Sequence, residues 1–157
     1  DTYILHDTKI ASCLGCFICW TKTPGICVTN DEGREIGKKF IQSDLVVYLT
    51  PITYGGYSSE LKKAVDRIIP NISPFFMNRK GETHHQPRYE RYPGIAVFGV
   101  LPEPDEESER GFRALVKGNS RNLHTAFSDV TVLFSTQNSE QIQGEVTTLL
   151  GKAGVGK

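Results

Sequence analysis

The apolar residues fall into two kinds of pattern. Leu45–Leu49, Gly94–Leu101 and Val130–Phe134 are continuous apolar runs without polar alternation, which predicts strands buried on both faces, as in a parallel sheet. Thr2–Leu5 reads as a further short strand. Between these runs the apolar positions recur at helical spacing. Ile36, Phe40 and Ile41 give one face to a helix from about Glu32 to Gln42, and Leu61, Ala64, Val65, Ile68 and Ile69 give one to a second. A helix from Ser108 to about Phe127, weakened by Gly111 and Gly118, and another from about Ser139 to Leu150 complete the set. Strands alternating with helices predict an α/β three-layer sandwich around a parallel sheet, with residues 1–157 as one domain and no internal repeat.

The stretch from Asp44 to Arg67 sets the register of everything else. It runs strand, turn (Thr50-Pro-Ile-Thr-Tyr-Gly-Gly-Tyr), then helix, with Ser58 or Ser59 placed to cap and Glu60 in the first turn. Ligands of open α/β sheets bind outside the carboxyl ends of the strands, so Thr50–Ser59 lies where a ligand would be. Gly55 and Gly56 permit positive φ and close backbone approach, and Tyr54 and Tyr57 offer aromatic faces. The same Gly-Gly pair also serves any strand-to-helix turn. Asp31 is placed to cap the helix that starts at Glu32. Pro70–Met77 ends a helix and presents an apolar patch at Phe75, Phe76 and Met77. Asn78–Pro93 is polar and aperiodic and reads as a long loop, in which His85, Arg88 or Tyr89 could contact a phosphate, a substrate or another subunit.

Eighteen basic and eighteen acidic residues cancel, and no basic stripe points to nucleic acid or to an anionic membrane. No apolar run approaches bilayer length, so a cytoplasmic protein is the default. All four cysteines fall together, as Cys13, Cys16, Cys19 and Cys27. A disulfide framework spreads its cysteines to staple distant segments; clustering reads as ligands, redox chemistry or reduced thiols. The first three match the C-x2-C-x2-C run that wraps three corners of a [4Fe–4S] cluster, and Cys27 can supply the fourth. The other reading is a thiol-bearing loop without a cluster, and zinc is a weaker third.

With the cysteine cluster upstream of it, Thr50-Pro-Ile-Thr-Tyr-Gly-Gly-Tyr-Ser-Ser-Glu-Leu-Lys-Lys-Ala-Val-Asp-Arg resembles the isoalloxazine loop and following helix of the flavodoxin-like NAD(P)H-dependent FMN reductases, a family that includes an iron–sulfur flavoprotein branch. The resemblance covers Asp1–Arg67 well and the remainder more loosely. It implies a flavodoxin-like sheet in strand order 2-1-3-4-5. On that pattern the chain is expected to lack the family's first strand and phosphate loop, and the FMN phosphate site would lie upstream. It implies FMN as cofactor and NAD(P)H as co-substrate. Pro51, Ile52, Thr53, Tyr54, Gly55 and Gly56 would hold the ring, with Gly99, Val100, Leu101, Pro102 and Glu103 as a second wall and no acid–base side chain. The expected acceptors are small molecules such as quinones, nitro compounds or ferric complexes, and the expected assembly is a homodimer or homotetramer. The alternatives are an iron–sulfur flavoprotein relaying single electrons, with a cluster on Cys13, Cys16, Cys19 and Cys27, and a non-enzymatic flavodoxin-like carrier. Free thiols are the preferred reading of the cysteines, and neutral net charge favours the enzyme over the carrier.

Overall fold

The computed structural model describes residues 1–155. In chain order its elements are α1 (Ile18–Thr21), α2 (Glu32–Gln42), β1 (Leu45–Pro51), α3 (Ser59–Arg67), a 3-10 turn (Ile69–Asn71), β2 (Ile72–Arg79), β3 (Glu82–Pro87), β4 (Gly94–Leu101), α4 (Glu106–Asn122), β5 (Ser128–Phe134) and α5 (Ser139–Lys152). They belong to two compact units. One comprises Asp1–Ser43, Ser59–Tyr92 and Arg121–His124; the other comprises Asp44–Ser58, Pro93–Ser120 and Thr125–Lys157.

The second unit carries the parallel sheet, in the order β1-β4-β5. Leu45 pairs with Gly94 and Pro51 with Val100, so the carboxyl ends of β1 and β4 finish side by side. This matches the last three strands of the flavodoxin-like order. Side-chain alternation then sorts the core onto two faces. On one face Ala96, Phe98 and Leu133 meet Leu149 of α5, with Ile142, Val146 and Leu150 packed around them. On the other, Phe112 of α4 is fully buried and reaches the sheet at Gly99. α5 begins at Ser139 because Asn138 and Gln141 form a reciprocal capping box. β4 is buried along nearly its whole length, as its continuous apolar run predicts. β1 departs from that expectation. It is the edge strand of the sheet among the described residues, and Val47 and Leu49, on the face that carries Leu45, are exposed.

In the first unit α2 starts where the sequence predicts, with the Asp31 carboxylate accepting from the Gly33 N–H. Two expectations fail here. Thr2–Leu5 forms no strand; the chain turns at Leu5–Asp7. The stretch expected to be a long loop is mostly an antiparallel hairpin, in which β2 pairs with β3 from Arg79↔Glu82 to Ile72↔Pro87 across an irregularity. Its turn is Lys80-Gly81, both at positive φ (53° and 85°), which is the backbone that two-residue hairpins select. β3 is polar on both faces and so lacks the apolar alternation that marks a strand in sequence. α4 also ends earlier than its pattern suggested, at Asn122.

Candidate functional site

The loop after β1 is built from the strand end outward. Thr50, 2% exposed, keeps its hydroxyl on the loop's far end: Oγ1 accepts from the Ser58 N–H at 3.2 Å and lies 3.1 Å from Ser58 Oγ. Ile52 N–H donates to the Val100 carbonyl at 2.9 Å, which fixes the loop to the end of β4. Thr53 and Gly56 exchange both backbone hydrogen bonds, at 3.0 and 2.9 Å. The residues between them, Tyr54 and Gly55, stand at φ 50° and 70°, so the tip is a type I′ turn. A positive φ is ordinary for glycine but unusual for an aromatic residue, and such outliers cluster at ligand clamps. The Tyr54 ring is fully exposed. The N–H groups of Tyr54 and Gly55 have no partner among the described residues.

Below the tip the support is rigid. Tyr57 is buried, edge-on to Tyr48 and to Phe112. Burial pushes both phenols up, and proximity to Tyr57 adds to the rise at Tyr48, so both stay neutral. Gly99 has no room for a side chain. A Cβ there would lie 2.5 Å from Phe112 Cε1 and 2.8 Å from Ile52 Cδ1. Gly111 answers Gly55: a Cβ on Gly111 would sit 3.6 Å from the Gly55 carbonyl oxygen. Sequence reasoning saw Gly111 only as a helix weakener. Pro51–Gly56 and Gly99–Glu103 are thus brought together, but unequally exposed. Gly99 and Leu101 are buried under their neighbours, Val100 is half-buried, and Pro102 and Glu103 face solvent. Asp105 caps α4 through the N–H groups of Glu107 and Ser108. Its hydrogen bonds to Ser108 hold its carboxyl below the usual range.

The first unit holds the cysteines. Gly15 and Phe17, at φ 62° and 56°, curl the chain into α1, and Gly25, at φ 84°, turns it back, its N–H donating to the Cys19 carbonyl at 3.0 Å. Arg34 fixes the return through two hydrogen bonds to the Cys27 carbonyl, at 3.1 and 2.8 Å. As a result Cys13, Cys16, Cys19 and Cys27, all free thiols, line one small cavity of about 40 Å³. Burial pushes the Cys19 thiol up, and the other three cysteines add to the rise. Among the described residues no three His, Cys, Asp or Glu side chains converge as ligands of one ion do, which does not suit zinc. A four-iron cluster takes one thiolate at each corner and needs four sulfurs around a shared space. Four thiols gathered on one cavity supply that donor set. Cys13 and Cys16 are exposed, and a Cβ on Gly15 would have nothing within 4 Å.

Both ends of the cysteine loop are held by one residue that sequence reasoning passed over. Arg67 Nη1 donates to the Ala11 carbonyl and to Asp31 Oδ2, both at 2.8 Å. Its Nη2 donates to the Thr29 carbonyl at 3.1 Å and to Asp31 Oδ1 at 2.7 Å. The Ala11 N–H donates back to Asp31 Oδ2 at 2.8 Å. The bidentate pair is deep: the Arg67 side chain is 1% exposed and that of Asp31 is 15% exposed. Burial works against the Asp31 charge, but the Arg67 guanidinium and the Ala11 and Gly33 N–H groups hold its carboxyl below the usual range. Asp31 therefore does more than cap α2. The available signal was that Arg67 shares the helical stripe of Leu61 and Ala64, and a buried arginine demands a partner. A larger cavity, about 760 Å³ and bordered by α2, also reaches Cys27 and Arg67.

The hairpin residues are occupied structurally. The His85 ring lies between Trp20 and Phe76, at 4.9 and 4.7 Å between centroids, and the Trp20 indole donates to the Ile72 carbonyl at 3.0 Å. Arg88 spends its guanidinium on the Pro70 and Ile72 carbonyls, and Tyr89 packs edge-on against Tyr92.

Comparison with known proteins decides among the folds that such a turn can serve. The family model described as NADPH-dependent FMN reductase matches residues 2–86, more than half of the chain. The chain belongs to the NADPH-dependent FMN reductase family. Two proteins similar to this chain are iron–sulfur flavoproteins. One, from Methanocaldococcus jannaschii, is 36% identical over 76 residues, covering 48% of this chain and 38% of that protein. The other, from Archaeoglobus fulgidus, is 34% identical over 104 residues, covering 65% of this chain and 41% of that protein. The chain thus spans about two fifths of the length of these relatives. An azoreductase from Bacillus anthracis str. Sterne shares the fold, with a TM-score of 0.58 at 13% identity over 95% of this chain and 76% of its own. The likeness to the azoreductase shows the flavodoxin-like α/β fold. No helix among the described residues is long and apolar enough to cross a membrane.

Proposed function

We propose that the protein is an FMN-dependent NAD(P)H oxidoreductase acting on small flat acceptors such as quinones, nitro compounds or ferric complexes. The observation that carries this reading is the Thr53–Gly56 turn, with Tyr54 at positive φ, standing beside the end of β4. Bound flavin would supply the hydride and electron chemistry; the protein supplies position and exclusion of water. Tyr54 offers a free aromatic face, and Pro51 and Ile52 would border the ring. The Tyr54 and Gly55 N–H groups are free to donate to flavin oxygen or nitrogen. Pro102 and Glu103 form the second wall, while Gly99 and Leu101 act from beneath by fixing Ile52 and the strand end. Within the Pro51–Gly56 loop the groups offered to the ring are backbone or uncharged side chains, and Glu103 is the one carboxylate beside them. The test is FMN titration by quenching of flavin fluorescence, followed by anaerobic addition of NADH or NADPH. Saturable one-to-one uptake with bleaching of the flavin bands supports the reading; no uptake refutes it.

A second reading is favoured by one observation, the gathering of all four thiols on a single cavity. On it, Cys13, Cys16, Cys19 and Cys27 hold a [4Fe–4S] cluster and the protein also passes single electrons. The names of the two archaeal relatives agree with this. It replaces free thiols as the favoured account of the cysteines. Four irons and four sulfides per chain after anaerobic reconstitution support it, and the absence of bound iron opposes it. Homo-oligomers remain the expected assembly, with the exposed Phe75 and Phe76 as the surface to be covered.

A further inference from the structure

The guanidinium of Arg67 has one donor left over. Its two terminal nitrogens make the four hydrogen bonds to Ala11, Thr29 and Asp31. Its Nε–H is buried and has no partner among the described residues. A buried donor left without a partner is costly, the more so on a charged group, so a buried arginine in this state calls for an acceptor. The side chain borders the cavity that all four cysteines line, and Cys27 is among the groups that stabilise its charge. Four thiolates around a cluster are a net negative assembly whose sulfurs accept hydrogen bonds. The potential of such an assembly follows its net charge and those bonds.

We propose that Arg67 is a positioning residue for a cluster held by Cys13, Cys16, Cys19 and Cys27, its Nε–H donating to a sulfur on the Cys27 side and its fixed charge raising the reduction potential. This rests on the second reading above and adds to it a named donor and a direction. It also assigns Asp31 an opposing part, because the carboxylate that fixes Arg67 offsets some of its charge at the cluster.

The experiment uses the full chain, reconstituted anaerobically with ferrous iron and sulfide, and compares Arg67→Lys, Arg67→Gln and Asp31→Asn. Iron per chain and the midpoint potential, from a dye-mediated titration followed by electron paramagnetic resonance, are the readouts. The expected order of potential is Asp31→Asn above wild type, wild type above Arg67→Lys, and Arg67→Lys above Arg67→Gln. The glutamine variant should differ from wild type by at least tenfold in its reduction equilibrium, about 59 mV for one electron. A purely structural role predicts something different, since breaking the pair from either side loosens the same loop and moves both potentials the same way. That result, or potentials equal to wild type in variants that retain four irons, overturns the inference and leaves the cluster reading standing. Wild-type protein that binds no iron overturns both. If the Arg67 variants do not fold, the sign of the Asp31→Asn shift decides.

Discussion

Gly99→Ala tests the coupling between the sheet and the candidate flavin loop. The added Cβ would stand 2.5 Å from Phe112 Cε1 and 2.8 Å from both Ile52 Cδ1 and Cγ1, well inside ordinary carbon–carbon contact of about 3.5–4.0 Å. Relief requires about 1 Å more between the Cβ and Phe112 and about 0.7 Å more between it and Ile52. Phe112 has little freedom: it is fully buried and braced edge-on by Tyr57 at 5.7 Å. Ile52 is the softer of the two, half-buried and on the loop, so the strain is released largely into the turn that follows it. Overpacking of this kind costs about 1–3 kcal/mol, which for a domain of this size is a fall of roughly 2–4 °C in Tm per kcal/mol. If half of a 3 kcal/mol strain is carried by the loop in its flavin-holding form, FMN affinity drops about tenfold, since ~1.4 kcal/mol is one decade. Urea unfolding and fluorescence titration with FMN read the two effects separately. Phe112→Leu in the Gly99→Ala background should recover part of both losses, a coupling that a double-mutant cycle measures. Unchanged stability and unchanged FMN affinity in Gly99→Ala would refute the reasoning.

Other substitutions probe the remaining supports. Asp31→Ala strands the buried Arg67 and removes the α2 cap, so urea unfolding at pH 7 should show a loss of about 3–5 kcal/mol. The Asp31 carboxyl is held below its ordinary pKa, so its stabilisation is full above the unfolded value near ~4 and fades as pH falls through the lowered folded value. The gap between wild type and Asp31→Asn should therefore be wide at pH 7 and narrow near pH 2. Thr50→Val removes the acceptor of the Ser58 N–H and should cost about 1–3 kcal/mol in thermal unfolding, with weaker FMN binding; unchanged binding would detach Thr50 from the loop's geometry. Lys80→Asn places the preferred residue in the hairpin turn and should raise Tm slightly without altering FMN affinity.

The continuous apolar runs located β1, β4 and β5, because strands in a parallel sheet announce themselves by composition alone, whereas the Asn138–Gln141 capping box that starts α5 is seen only in the structure. The hairpin was illegible for the converse reason. Thr83, His84, His85 and Gln86 alternate polar with polar, and their pairing is decided by partners in β2 and by a Lys-Gly turn less conspicuous than Asn-Gly. The candidate loop could be located from its glycines and the strand before it, and its link to flavin came from the family resemblance alone. The buried position of Gly99 could not, since the reason for it is the Phe112 ring, distant in sequence. Likewise the cysteine spacing identified a possible ligand set, whereas the clamp on that set is made by Arg67, 56 residues from the Ala11 carbonyl it holds. Long-range charge pairing of this kind leaves no periodic trace.

The central claim is that the turn after β1 presents a flavin to a nicotinamide and an acceptor. Its most direct test is the visible spectrum of the FMN-loaded protein during anaerobic titration with NADPH. The account predicts two resolved flavin bands that bleach with NADPH and return on adding a quinone. A protein that takes up no FMN, or whose bound flavin neither NADPH nor NADH bleaches, would contradict it.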